Sequence, residues 1–186
     1  MARRNSAFMA VLMLPWVVCL LVDGCGSSPD AQALFTKPEL YTYERHAVLG
    51  LDPEQEQIFM AAYLRAFSGR LITFVERSRL REIISEQDLL KGRLDERTRA
   101  KIQQILGVEA LIMCGYYAGE DERQMKLRVR IVDSETGAIV GSVLVDSSGD
   151  FDSHARAAAE ALKADLLGGS GKGARNNTSA SRSGGT

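Results

Sequence analysis

Lys126 to Val132 reads Lys-Leu-Arg-Val-Arg-Ile-Val, basic and apolar in turn, and this stretch constrains the fold more than any other. Successive side chains of an extended strand point to opposite faces. Leu127, Val129 and Ile131 therefore share one side, and Lys126, Arg128 and Arg130 share the other. The first side needs a cover and the second needs water. Asp133 to Gly137 (Asp-Ser-Glu-Thr-Gly) is turn chemistry, and Ala138 to Val145 returns as a largely apolar strand. A hairpin with one dry face commits the chain to a sheet packed against helices.

The flanking sequence supplies those helices. Asp150 to Leu166 is alanine-rich, with Phe151, Ala155, Ala158, Leu162 and Leu166 spaced along one helical face. Asp52-Pro53-Glu54 is a helix start, with an acid to cap free amides and a proline suited to the first turn; the helix runs to Phe67. A helix is expected over Ser78–Gln87, with Leu80, Ile83 and Ile84 inward. Another runs from a cap at Asp95 to Leu106, where Gly107 provides a left-handed exit. His46–Leu51, Leu71–Val75 and Ala110–Gly115 are short apolar runs that read as strands. The order β-α-β-α-α-β-β-β-α predicts an α/β domain over residues 46–167, a mixed sheet with helices packed on it.

Both ends differ from this body. Arg3 and Arg4 precede an apolar run from Ala7 to Val22, which ends in Val22-Asp23-Gly24-Cys25. The run contains Pro15 and is shorter than the roughly 20 residues a spanning helix needs. A basic start, an apolar core and a small residue at the cut describe a secretory signal peptide over residues 1–24. The last four residues resemble a bacterial lipobox, which implies cleavage between Gly24 and Cys25 and acylation of Cys25. Asp23 departs from that pattern. By resemblance to lipoprotein sorting, Gly26 after the cysteine implies the outer membrane. Residues 25–45 are expected as the lipidated end and a tether, of which 26–40 would span about 20 Å. Residues 168–186 are glycine, serine and asparagine with three basic side chains, and are expected to be a disordered tail.

With 186 residues, the chain accommodates one such domain. Its formal net charge is −1, and Arg3, Arg4, Lys172, Arg175 and Arg182 all sit in the ends, so the body is the more acidic part. That gives no reason to expect nucleic acid. Of three cysteines, Cys19 lies in the leader, Cys25 at its end and Cys114 in an expected core strand, where it reads as a small buried hydrophobe. His46 and His154 lie on different elements, too few ligands for zinc, and no cofactor is implied.

Catalytic candidates are thin. Glu76 beside Arg77 and Arg79 reads as an ion pair at a strand end, and Glu82 and Glu86 as a solvated helix face. Asp150, Asp152, Ser153 and His154 crowd one helix start, which suits capping and cannot surround a substrate. No glycine-rich loop has phosphate-cradling spacing. Arg128 and Arg130 read as the wet face of a hairpin. These residues predict neither an enzyme nor a small-molecule substrate.

Three blocks resemble the curli production assembly/transport (CsgG) family: Phe74–Leu80 with Ile83–Gln87, Leu106–Ile112, and Arg130–Gly137. The resemblance implies an outer-membrane lipoprotein whose domain faces the periplasm. Some members form an oligomeric secretion pore built from two long amphipathic hairpins per subunit. A membrane strand takes roughly 10 residues. Neither Asp88–Leu94 nor Gly115–Gln124 leaves room for such a hairpin. The expectation is a pore-less, non-enzymatic member held to the membrane by its lipid. It would bind envelope proteins, with self-association open, in assembly or secretion of surface structures. Two alternatives remain: a subunit of an oligomeric curli-type channel, and a lipoprotein activator of a peptidoglycan synthase.

Overall fold

A computed structural model describes residues 30–120 and 123–168. The leader, with Gly24 and Cys25, and tail residues 169–186 lie outside the described residues. Six strands form one sheet: β1 (Asp30–Thr36), β2 (Arg45–Leu49), β3 (Thr73–Phe74), β4 (Ala110–Ala118), β5 (Met125–Asp133) and β6 (Ile139–Ser147). Their spatial order is β1-β6-β5-β4-β2-β3. β2 runs parallel to β3 and β4, and the other pairings are antiparallel, so the expected mixed sheet is present.

Helices α1 (Pro53–Ala66) and α5 (Phe151–Gly168) cover one face. Leu127, Val129 and Ile131 of the alternating strand are buried there, with Val143 and Val145 of β6 and Ala155, Ala158 and Leu162 of α5. Helices α2 (Arg77–Leu80), α3 (Glu86–Lys91) and α4 (Glu96–Leu106) cover the other face, where Leu80, Leu89 and Ile102 pack on Ala47, Leu49 and Leu111. β2 and β4 are thus buried on both sides, which is why their sequences are continuous apolar runs.

Local chemistry sets most boundaries. Asp52 caps α1 by accepting from the amides of Glu54 and Gln55, and Asp95 caps α4 through the Thr98 amide at 2.7 Å. Gly107 closes α4 at φ 65°, where a residue without Cβ is favoured. Gly50 is constrained further: at φ 88°, an added Cβ would lie 1.9 Å from the Cys114 carbonyl oxygen.

Besides the strand expected over Leu71–Val75, which is reduced to Thr73–Phe74, two segments differ from expectation. The tether expected over 25–45 stops before residue 30, because Asp30–Thr36 is edge strand β1, paired with β6 from Asp30↔Asp146 to Thr36↔Gly141. Its alternation is carried by Ala31 and Ala33, small residues with weak strand preference, so the edge of β6 supplies what local sequence lacks. A short 3-10 turn (Pro38–Tyr41) then buries Leu40, and Arg45 already belongs to β2. The helix expected over Ser78–Gln87 resolves into α2 and α3. Ser85 leaves the helix at ψ 152° and caps α3 through the Asp88 amide.

Candidate functional site

Glu76 enters α2 in an extended conformation and turns Arg77 back over the end of β2. The Arg77 guanidinium donates to Glu56 Oε2 at 2.5 Å, to the Leu51 carbonyl at 3.1 Å and to Glu86 Oε1 at 2.5 and 3.0 Å. One side chain therefore ties α2 to α1, to α3 and to the loop after β2. The sequence reading paired Arg77 with its neighbour Glu76; the true partners come from other helices. Arg79 pairs with Glu82, and Glu86 is clamped by Arg77 instead of sharing a helix face with Glu82. Burial raises the Glu56 carboxyl above the usual range although Arg77 opposes it, whereas the Arg77 hydrogen bond holds Glu86 below it. Glu56 is 2% exposed and already bonded, so it holds the fold and offers no acid to a substrate.

A second polar centre joins residues that the sequence keeps apart. His154 Nε2 lies 2.7 Å from Ser147 Oγ, and its Nδ1 lies 3.4 Å from the Tyr116 hydroxyl. This nucleophile–base contact was invisible in the sequence because β6, β4 and α5 contribute one residue each. Among the described residues no carboxylate completes it as a catalytic third member. Asp150 caps α5 through the Ser153 amide, the phenol contact is at the limit of a hydrogen bond, and His154 is 0% exposed. The centre pins the start of α5 to the sheet.

At the opposite end of the sheet, a cleft of roughly 530 Å³ is lined by Tyr43, Glu109, Asp133 and Glu135, among others. Its carboxylates are largely occupied. Tyr43 donates to Asp133 at 2.7 Å, Thr136 donates to the other Asp133 oxygen, and Glu109 accepts the amides of Glu44 and Arg45. Burial pulls the Asp133 carboxyl up, but the Thr136 and Tyr43 hydrogen bonds hold it below the ordinary value. Burial also pushes the Cys114 thiol well up, which keeps it protonated in the core. Among the described residues no cluster of three or more metal-ligating side chains occurs.

The remaining feature is a surface. Among the described residues, β5, β6 and β1 are packed by α5 on one face only, and register places three cross-strand rows on the other. Arg130, Ser142 and Phe35 form one row, Arg128, Leu144 and Gln32 the next, and Lys126, Asp146 and Asp30 the third. Lys126 is neutralised by Asp146 at 2.8 Å. The bulge between Ala33 and Phe35 leaves both Leu34 and Phe35 exposed.

A model of the family "Curli production assembly/transport component CsgG" matches residues 68–119, the stretch after α1 through β4 that contains Arg77 and Glu86 of the clamp but not Glu56. No curated protein matches the sequence. Among solved structures, the PelC dodecamer from Paraburkholderia phytofirmans is similar at 10% identity and a TM-score of 0.45, covering 74% of this chain and 96% of that one. The LpoB C-terminal domain from Salmonella enterica is similar at 14% identity and a TM-score of 0.43, covering 57% and 83%. Lipoprotein GNA1162 from Neisseria meningitidis is similar at 16% identity and a TM-score of 0.37, covering 55% and 78%. All three are loose likenesses of shape.

Proposed function

We propose that this chain is a non-enzymatic lipoprotein of the outer membrane, anchored through Cys25, whose periplasmic domain binds envelope proteins in assembly or secretion of surface structures. The observation that carries this reading is the match of residues 68–119 to a curli assembly/transport family, supported by a sequence whose first residues read as a signal peptide ending at Gly24 before Cys25. A pore-less role is favoured by the connections. α3 and α4 are separated by residues 92–95, and β4 and β5 by residues 119–124. A membrane-spanning hairpin needs roughly twenty residues plus a turn.

Cys25→Ala tests the anchor. Fractionation should move the protein from the membrane pellet to the soluble periplasmic fraction. Retention of the alanine form with the outer membrane would refute lipid anchoring.

A further inference from the structure

Because β1 starts at Asp30, only residues 26–29 separate Cys25 from the sheet. At roughly 3.5 Å per residue, that connection cannot exceed about 20 Å even fully extended. A body tied this closely cannot stand away from its membrane, and β1 is the element held nearest to it. Leu34 is 58% exposed and Phe35 39% exposed on this edge strand, an unusual pairing of large apolar side chains in water. Beside them the bare face presents Arg128 and Arg130, and among the described residues neither takes part in an ion pair. On the same face Lys126 is neutralised by Asp146 and Asp30 adds one carboxylate, so Arg128 and Arg130 leave this face net basic on a body that is net acidic.

We propose that the corner formed by β1 and the adjacent bare face of β6 and β5 lies against anionic phospholipid, an inference that rests on acylation of Cys25. Leu34 and Phe35 enter the boundary between headgroups and acyl chains, and Arg128 and Arg130 meet the phosphates. Apolar side chains beside basic ones are the composition of interfacial membrane contacts. Little intrinsic affinity is required, because so short a link to the acylated residue gives the tethered face an effective concentration on the order of millimolar. Two acyl chains or one chain plus a basic patch are what hold a protein stably on a bilayer, so this face reinforces the anchor as well as orienting the body.

The test is hydroxyl-radical footprinting of the mature lipoprotein in vesicles of phosphatidylethanolamine and phosphatidylglycerol, with the Cys25→Ala protein free in buffer as reference. Oxidation of Leu34 and Phe35 should fall several-fold on the vesicles, while Leu64 on α1 and Leu71 beside β3 stay unchanged. Equal oxidation of Leu34 and Phe35 in both samples would overturn the proposal. Protection already present in the vesicle-free protein would also overturn it, by showing that another copy or another part of the chain covers the corner. Equal protection on neutral phosphatidylcholine vesicles would overturn the anionic assignment. Intact mass separates the two levels: acyl chains on Cys25 without protection refute the contact alone, and an unacylated Cys25 refutes the anchor and the contact together.

Discussion

His46 is fully buried on β2, with ring centroids 5.6 Å from Tyr63 and 5.8 Å from Phe74, and neither ring nitrogen has a hydrogen-bond partner. Burial lowers its pKa to about 4, against the weak opposition of the Glu44 backbone and the Glu109 carboxylate; Arg70 adds to the lowering. The unfolded chain therefore takes this proton first as pH falls below the ordinary histidine value. The stability lost to His46 accumulates between pH 6.5 and about pH 4 and is constant below that. Its share is about 3 kcal/mol. His46→Leu should flatten the stability–pH curve over this window in denaturant titrations; an unchanged slope would mean that another group drives it. In the sequence His46 merely opens an apolar run. Its isolation depends on Tyr63 and Phe74, which arrive from α1 and β3, and so only the fold reveals it.

At the scale of elements, the Arg77 clamp is the tie that most decides how the helices sit. Arg77 and Glu56 have side chains 11% and 3% exposed, so removing one partner strands a buried charge. Arg77→Met should cost about 3–5 kcal/mol, and adding Glu56→Leu should restore much of it. A double variant no more stable than the single one would show that packing by Arg77 matters more than its charge. Capping was legible in the sequence at Asp52, Asp95 and Gly107 because caps are local chemistry. The break at Ser85 was not, because serine is tolerated within a helix as well as at its cap, and the choice falls to tertiary contacts. Those contacts are Glu86 held by Arg77 and Leu89 buried at 0% exposure. The strand expected over Leu71–Val75 shrinks to Thr73–Phe74 for a similar reason. At the sheet edge it meets only Arg45 and His46, and Leu71 is left 72% exposed.

For the molecule as a whole, the alternation of β5 announced a sheet with one dry face, and the architecture follows from it. The sequence did not disclose that residues 30–36 belong to the sheet. Alanines at 31 and 33 carry no strand signal of their own, and β1 exists because β6 offers an open edge. Deleting residues 30–36 from the Cys25→Ala protein should lower the denaturant midpoint and reduce the m-value, since the face of α5 beside Ala31 is uncovered. An unchanged midpoint would make β1 an ornament of the sheet. The pairing of β1 with β6 also fixes an order of events. β1 is the first strand to emerge in a chain synthesised from its N-terminus, yet its partner is the last strand to emerge. Such a long loop must close before that pairing yields any stability, so β1 waits unpaired while the rest of the sheet assembles. Pairing of β1 with β6 is then expected as the closing step of sheet assembly, since every other strand finds its neighbour before β1 does.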